Sequence, residues 1–306
     1  MKKVKIGGQL EASAISMGCM RIGGLDRPGV AELVSVALDS GIDFFDHADI
    51  YGGGEAEVIF ARAVKDEDIP RDKILIQTKC GIKKGVFDFS KEHIISSLDK
   101  SLQRLEMDYV DVFLLHRPDT LMEPEEVAEA FSQVHKAGKA RYFGVSNHNA
   151  WQIRLLNKYL GDKQKILVNQ LQFSPAHTVM IDAGFNVNMA NAPSIDHDGS
   201  ILEFCRYENI TIQAWSPFLY GFFEGVFLGD DKFAELNKVI DELALEKGVT
   251  PEAIVIAWIL RHPANMQAIP GTTNKDRLKG ICAAGSVNMT REEWYRVYCA
   301  AGNKLP

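Results

Sequence analysis

Four residues with ionisable side chains stand at or just beyond the ends of short apolar runs, and together they could transfer a proton. Asp46 and then Tyr51 follow the first of these runs, Lys79 ends the second, and His116 ends the third. Tyrosine is a weak acid with an ordinary pKa near ~10, and a nearby ammonium stabilises the phenolate and lowers that pKa. A carboxylate beside the lysine keeps the ammonium charged, and a histidine can orient a carbonyl or relay a proton. The set predicts a proton-transfer site, although Asp46 can also be only a loop cap and Tyr51 only a rim aromatic.

The elements that would position these side chains are eight short apolar strands, each followed by a helical pattern. The predicted strands cover residues 15–17, 42–46, 74–79, 110–115, 142–145, 166–171, 210–215 and 266–269. Residues 2–6 and 10–14, separated by two glycines, predict a small hairpin before the first strand. Eight alternating strand–helix units are typical of a parallel sheet closed into a barrel. The sequence therefore predicts an α/β fold, a (β/α)8 TIM barrel preceded by a β-hairpin.

A doubly wound sheet is the competing fold, and the turn after the first strand is where the two differ. That fold usually carries GxGxxG there, whereas this chain has GCMRIGG at residues 18–24. No linker divides the chain, and the one irregular region, residues 174–200, is more typical of a functional loop than of a boundary. We therefore expect one barrel domain over residues 1–306.

Composition excludes several classes of protein. The chain has 306 residues and a net charge of -7, and no run of Lys and Arg is long enough to form a nucleic-acid surface. No apolar run approaches the ~20 residues that a membrane helix needs. The five cysteines are scattered and never spaced as CxxC, which fits a reducing cytoplasm and gives no support for structural zinc. We expect a cytoplasmic enzyme acting on a small molecule, with no nucleic-acid or membrane partner, and the oligomeric state stays open.

The motifs around these residues, in this order, resemble the aldo-keto reductase family. The matching pieces are FFDHADIYG, IQTK, LLHRPD, GVSN, NQ, WSPF and PGTTNKDRL, and they lie between residues 15 and 280. Each piece alone is weak evidence, but the whole set in register is specific. The resemblance implies a barrel with a hairpin plug at its bottom and NADP(H) bound extended across its mouth.

The resemblance also implies a role for each matching residue. Tyr51 would be the general acid and base, Lys79 would tune it, Asp46 would pair with Lys79, and His116 would orient the carbonyl. The implied cofactor-binding residues are Met20, Arg21, Asp46, Ser146, Asn147, Gln170, Trp215, Ser216, Gly271, Thr272, Thr273 and Arg277. The implied function is an NADP(H)-dependent oxidoreductase that reduces aldehyde or ketone carbonyls to alcohols. Arg21 is either a ligand contact or a solvated loop charge.

Three departures from the family pattern bear on cofactor and substrate. Gly271 stands where many members have a lysine, but Arg277 is retained, which favours NADPH over NADH. Trp215 replaces a common tyrosine and can still stack on the nicotinamide ring. The C-terminal stretch resembles a bacterial subgroup of mostly unassigned substrate.

Alternatives to this reading remain open at this point. Lys79 could form a Schiff base as in aldolases, although Asp46 would keep it charged. His47 and Asp49 resemble metal ligands, but the first strand lacks the HxH pair of TIM-barrel metal hydrolases. The chain could also be a cofactor-binding regulatory protein without significant turnover.

The aromatic residues after the seventh strand bear on substrate choice. Residues 218–223 read FLYGFF, and with residues 174–200 they predict a joint pocket for medium-sized apolar carbonyl compounds. We expect His148, His177 and His197 to be exposed loop residues, and Cys19 and Cys80 to be rim or core thiols.

Overall fold

The centre of the molecule is a parallel sheet of eight strands that closes on itself, in a computed structural model that describes residues 1–306. The strands of the chain are β1 (Lys3–Ile6), β2 (Leu10–Ser13), β3 (Met17–Gly18), β4 (Phe44–Asp46), β5 (Leu75–Cys80), β6 (Ile82–Lys83), β7 (Val86–Phe87), β8 (Val110–Leu115), β9 (Ala140–Ser146), β10 (Ile166–Gln172), β11 (Thr211–Trp215), β12 (Leu219–Tyr220), β13 (Gly225–Val226) and β14 (Gln267–Ile269). The sheet order is β3-β4-β5-β8-β9-β10-β11-β14. A bridge between Ile15 and Ala268 joins its two edges. The predicted eight-stranded barrel is confirmed.

The N-terminal hairpin of β1 and β2 lies at the amino ends of the barrel strands. Gly7 N donates a hydrogen bond of 2.9 Å to Thr211 Oγ1, and Gln267 Nε2 donates one of 2.7 Å to Ser13 O. Thr211 and Gln267 are the first residues of their strands. Gly7 has a φ of +53°, and a Cβ there would come within 2.6 Å of the Leu167 side chain. The hairpin therefore plugs the bottom of the barrel, as predicted.

Eleven α-helices surround the barrel. They are α1 (Arg27–Asp39), α2 (Glu55–Asp66), α3 (Lys91–Leu105), α4 (Pro124–Lys136), α5 (Ala150–Tyr159), α6 (Val179–Phe185), α7 (Ile201–Tyr207), α8 (Ala234–Lys247), α9 (Pro251–Arg261), α10 (Lys275–Cys282) and α11 (Arg291–Ala300). Side-chain caps begin several of them: Ser90 accepts from His93 N, and Thr250 accepts from Ala253 N before Pro251. None of these helices is long and apolar enough to cross a bilayer.

The sequence-based prediction was incomplete around residues 174–200. This segment is not wholly irregular, since it contains α6, and α7 follows it directly. Both helices have only seven residues, and α7 begins after Ser200 in the left-handed conformation instead of at a side-chain cap. Helices this short present too few turns for a clear 3.6-residue period. The small hairpins β6–β7 and β12–β13 beyond the strand ends were not predicted either.

A pair of stacked tryptophans attaches the last helix to the barrel. Trp258 on the buried helix α9 lies 4.8 Å from Trp294 on α11, with the ring planes 6° apart. Each indole Nε1 donates a 3.0 Å hydrogen bond to the main-chain carbonyl of the other residue. Both side chains belong to one cluster of 78 buried residues. The C-terminal helix is therefore part of the core.

We expect Trp294→Ala to lower the free energy of unfolding by about 3–5 kcal/mol, because it empties a large buried volume and leaves the Trp258 carbonyl without its donor. Urea denaturation measures this loss. Trp151→Ala is the matched control, since Trp151 is 71% exposed and its removal should change stability by less than ~0.5 kcal/mol. Equal losses in both variants would contradict this role of the tryptophan pair.

Candidate active site

The ammonium of Lys79 organises the carboxyl end of the barrel. It lies 2.8 Å and 2.9 Å from the two carboxylate oxygens of Asp46. It also donates to His47 O at 2.7 Å and to Tyr51 Oη at 3.0 Å. The Lys79 side chain is fully buried. An ammonium has three N–H donors and no acceptor, so each of its donors has a partner and its position is determined by three groups.

The charge state of Lys79 follows from these contacts. Burial lowers the pKa of the ammonium, but Asp46 and then Tyr51 raise it, and the net pKa lies above its ordinary value. Lys79 is therefore a cation at neutral pH. A Schiff base needs a neutral amine as nucleophile, so this environment disfavours aldolase chemistry.

The hydroxyl of Tyr51 faces opposing influences on its pKa. Burial raises the pKa, Lys79 lowers it by less, Asp46 raises it further, and the net pKa is above the ordinary value of 10. The expectation that Lys79 lowers the pKa below that value is wrong in net direction, because burial outweighs the ammonium. Tyr51 is therefore a neutral phenol at neutral pH. Since Lys79 can only donate, the phenol proton is left free for an acceptor elsewhere.

Asp46 also accepts hydrogen bonds from two members of a row of four glutamines, of which only Gln170 was predicted as a site residue. Asp46 Oδ1 accepts from Gln77 Nε2 at 2.6 Å and from Gln170 Nε2 at 3.0 Å. Gln213 Oε1 accepts from both of these amides, and Gln213 Nε2 donates to Gln267 Oε1 at 2.7 Å. The signal for the other three was a single glutamine in each of the short buried strands β5, β11 and β14. The glutamine amides therefore provide the Asp46 carboxylate with hydrogen-bond donors that carry no charge.

A buried carboxylate on α2 supports the strand that carries Lys79. Glu57 Oε1 accepts from Thr78 Oγ1 at 2.6 Å, and Glu57 Oε2 accepts from Arg104 Nε at 2.7 Å. Thr78 directly precedes Lys79 on β5. Glu57 therefore links α2, α3 and β5.

His116 completes the predicted proton-transfer set. Its ring lies 5.9 Å from that of Tyr51, at an interplanar angle of 81°. Burial, then the charges of Lys79 and Arg117, lower the pKa of His116 well below 6.5. His116 is therefore a neutral imidazole at neutral pH, which can donate one hydrogen bond to a carbonyl oxygen.

The structure brings together four of the predicted cofactor-binding residues, Ser146, Asn147, Gln170 and Trp215. Ser146 Oγ donates to Gln170 O at 3.0 Å, and Asn147 Nδ2 donates to Ser146 Oγ at 2.7 Å. Trp215 Nε1 donates to Asn147 Oδ1 at 3.2 Å. Both amide hydrogens of Gln170 are used within the barrel, and Gln170 Oε1 has no partner in the protein. An acceptor is thus left for a ligand amide.

One cavity of about 670 Å³ connects most of the predicted site residues. Its lining includes Asp46, Tyr51, His116, Met20, Arg21, Ser146, Asn147, Gln170, Trp215, Ser216, Gly271, Thr272 and Arg277. Lys79 lies beneath Tyr51 and outside the lining. Thr273 also lies outside the lining, although it follows two lining residues. Arg117 and Glu252 line the cavity without having been predicted.

Paired charges lie in and beside the part of the cavity that Arg277 lines. Arg277 Nε lies 3.3 Å from Glu252 Oε1 inside the lining, and Lys275, outside the lining, pairs with Glu32. Asn274 Oδ1 accepts from Arg277 N at 2.9 Å and begins α10. Both cations therefore have a carboxylate partner in the protein.

The aromatic wall after β11 is confirmed, but its predicted partner is wrong. Phe218, Phe222 and Phe223 line the cavity, and the Phe223 ring lies 6.0 Å from Trp215. No residue between 174 and 200 lines it. That segment packs on the last helix instead, where Tyr298 Oη donates to Asp182 Oδ1 at 2.8 Å.

The remaining histidines and cysteines differ in their surroundings. His197 is exposed as expected, His177 is half-buried, and His148 is buried, so the expectation for His148 is wrong. The His148 Nδ1 lies 3.0 Å from Ser146 O, which draws the ring under the strand end. Cys19 and Cys80 are both core thiols.

The two residues considered as metal ligands do not form a cluster. His47 is buried against Phe60, with ring centroids 4.6 Å apart, and burial followed by Lys79 lowers its pKa to about 3. Burial and Glu57 raise the pKa of Asp49 to about 7. No group of three or more His, Cys, Asp or Glu side chains is arranged to hold a metal ion.

Known proteins resemble this chain over its whole length. A sequence model described as the Aldo/keto reductase family matches residues 14–299. The chain is 32% identical to the uncharacterized oxidoreductase YcsN of Bacillus subtilis, with 100% of both chains covered. It is also 32% identical to a 6-dehydroglucose reductase of Agrobacterium fabrum, with 99% of each chain covered.

A solved structure extends the likeness to the fold. A thermostable aldo-keto reductase in complex with the inhibitor epalrestat matches 98% of this chain and 100% of its own chain. The TM-score is 0.78 and the sequence identity is 25%. The resemblance therefore covers the barrel from the N-terminal hairpin to the last helix.

We expect Asp46→Asn to destabilise the fold by about 3–5 kcal/mol, because the buried Lys79 ammonium loses its counter-charge. The double variant Asp46→Asn/Lys79→Met should be more stable than Asp46→Asn alone, since it removes the uncompensated ion. Urea denaturation of the two variants and of Lys79→Met gives the coupling. Strictly additive losses would mean that the pair is not coupled as the geometry indicates.

Proposed function

This chain belongs to the aldo/keto reductase family of oxidoreductases, and from that premise we propose that it reduces aldehyde or ketone carbonyls with NADPH. The observation that carries the proposal is the Tyr51 hydroxyl, which lines the cavity and accepts a hydrogen bond from a buried ammonium. Its own proton is free for a substrate oxygen. A neutral phenol held in this way is a general acid.

The proton transfer uses the charges already paired in the barrel. Tyr51 donates its proton to the carbonyl oxygen, and the phenolate that forms lies 3.0 Å from the Lys79 ammonium. Asp46 keeps that ammonium charged and in position. Stabilisation of developing charge by groups that need no rearrangement is usually a large contribution to catalysis. Lys79 does not itself give up a proton in this scheme.

His116 has a supporting role in this proposal. As a neutral imidazole beside Tyr51, it donates a hydrogen bond to the same carbonyl oxygen and orients the carbonyl for attack. The flat ring of Trp215 and the carboxamide partners Asn147 and Gln170 fit a nicotinamide ring. When bound, NADPH supplies the hydride that the carbonyl carbon accepts.

The choice of NADPH over NADH rests on Arg277. A guanidinium can hold a 2′-phosphate with paired, charge-assisted hydrogen bonds. Glu252 Oε1 already lies 3.3 Å from Arg277 Nε, so the phosphate must compete with a carboxylate of the protein. Arg277 therefore favours NADPH and Glu252 opposes it.

We expect Tyr51→Phe to reduce kcat for carbonyl reduction by about 10²- to 10⁴-fold, the usual contribution of general acid catalysis. NADPH affinity, measured by fluorescence titration, should change little because the hydroxyl contacts the substrate. Tyr207→Phe is the matched control, since Tyr207 is 84% exposed.

Two results would reject this assignment. Near-wild-type turnover by Tyr51→Phe would remove Tyr51 from the chemistry. Tight NADPH binding by the wild type, with no turnover on any aldehyde or ketone of a broad panel, would favour a cofactor-binding regulatory protein.

We expect Arg277→Ala to weaken NADPH binding by roughly 10- to 100-fold, the equivalent of lost hydrogen bonds to a charged group, and to weaken NADH binding much less. Glu252→Gln should have the opposite sign and strengthen NADPH binding, because it removes the competing carboxylate. Dissociation constants for both cofactors measure this. Arg62→Ala, which breaks an exposed pair with Glu55, is the control. Equal weakening of NADPH and NADH would assign Arg277 to the fold or the pyrophosphate.

A further inference from the structure

Arg117 is a charge in the cavity that the proposed chemistry does not use. It follows His116 directly in the chain, is half-buried, and lines the same cavity as Tyr51. The other lining residues with charged side chains are Asp46, paired with Lys79, Glu252, paired with Arg277, and Arg21, which is exposed. Arg117 is thus the half-buried cation of the cavity that has no ion partner.

The surroundings of Arg117 are aromatic. Its guanidinium carbon lies 5.2 Å from the centre of the Phe222 ring and 5.8 Å from that of Trp215. Burial lowers the pKa of the guanidinium, Tyr51 opposes this, and no carboxylate lies near enough to affect it. Contacts of a cation with aromatic faces contribute about 0.5–1 kcal/mol at exposed sites, but they do not neutralise the charge. The guanidinium therefore keeps an uncompensated positive charge at the cavity wall.

A guanidinium presents five N–H donors in a planar fork that matches a carboxylate. Arg117 donates none of them to a carboxylate of the protein. The Phe222 and Trp215 rings cover part of the guanidinium, and an ion pair at a partly buried position is stronger than one in bulk water. Phosphate would bring a second negative charge to a wall that is otherwise apolar, whereas a carboxylate is neutralised by one guanidinium.

We propose that Arg117 forms an anion subsite beside the catalytic tyrosine, and that the substrates are carbonyl compounds with a carboxylate on an apolar or aromatic body. This inference rests on the proposed function, and it names the substrate class of the same cavity. Arg117 binds the carboxylate, Phe222 and the neighbouring wall contact the body, and the carbonyl oxygen meets Tyr51 and His116. The reaction itself is unchanged: hydride to carbon and a proton to oxygen.

The test compares the three carboxybenzaldehyde isomers with their methyl esters, which vary the distance between carboxylate and carbonyl and remove the charge. We expect the wild type to prefer at least one acid over its ester in kcat/KM. Arg117→Gln should lower that acid-to-ester ratio by about 10- to 100-fold, mainly through KM. Arg117→Lys, which keeps the charge without the planar fork, should recover part of it. Arg154→Gln is the matched control, because Arg154 is an exposed arginine stacked on a tryptophan outside the cavity.

Two results would overturn the subsite. One is an acid-to-ester ratio that Arg117→Gln leaves unchanged or that Arg154→Gln changes equally. The other is a tenfold loss of NADPH affinity in Arg117→Gln, which would assign the guanidinium to the cofactor.

A binding measurement separates this inference from the proposed reaction. The dissociation constants of the three carboxybenzyl alcohols in the presence of NADP⁺ can be measured by calorimetry for wild type and Arg117→Gln. Binding that depends on Arg117, in a protein without turnover, would support the subsite and reject the reductase. Turnover with no dependence on Arg117 in either assay would support the reductase and reject the subsite.

Discussion

The buried ammonium of Lys79 is the constraint on which the rest of the site depends. An ion without water costs several kcal/mol unless its partners are well placed, and here the three partners come from β4 and the residues after it. β4 and β5 are paired with Asp46 opposite Gln77. Lys79 lies two residues beyond Gln77, on the same face of the strand. The register of two strands therefore decides whether the charge is compensated, and Tyr51 is held because it provides one of the acceptors.

The glutamine row extends this constraint across the barrel. Asp46 needs further donors, and a second cation would have left the interior with an excess positive charge. Gln77 and Gln170 supply N–H groups without charge, and Gln213 links them to the far side of the barrel. Because Gln170 uses its amide hydrogens on Asp46 and Gln213, the same residue has its carbonyl oxygen left for a ligand. The carboxylate network and the proposed nicotinamide subsite are thus coupled through one side chain.

Features that follow from short sequence patterns could be predicted, whereas features that depend on burial or on distant contacts could not. Asp46, Lys79 and His116 are polar residues at the ends of apolar strands, and a barrel topology alone brings strand ends together. The net pKa direction of Tyr51 was mispredicted because it depends on how far burial outweighs one nearby charge, which spacing does not report. The buried position of His148 also depends on local geometry, since its Nδ1 lies against the Ser146 carbonyl.

The long segment from 174 to 200 was assigned to the wrong neighbour for a related reason. Asp182 in this segment contacts Tyr298 on α11, more than a hundred residues later, and no local pattern encodes such a partner. A segment rich in aromatic and turn-forming residues can form either a cavity wall or a packed part of the core, so composition does not distinguish the two.

The packing that stabilises the fold, the charge network below Tyr51 and the cavity wall consequently lie in different parts of the chain. The last helix is packed through the tryptophan pair, the segment from 174 to 200 is attached to that helix through Asp182 and Tyr298, and the charges below Tyr51 are fully paired. The cavity wall includes exposed aromatic residues: Phe222 and Phe223 are 63% and 51% exposed, and Phe223 has a left-handed φ of +59°. Aromatic side chains that are exposed at a hairpin turn leave apolar surface in contact with water, which is unfavourable. The guanidinium of Arg117 lies beside Phe222 and has no counter-ion. The exposed aromatic surface and the unpaired charge lie side by side at the cavity wall. A ligand with an apolar body and one negative charge would cover the first and pair with the second.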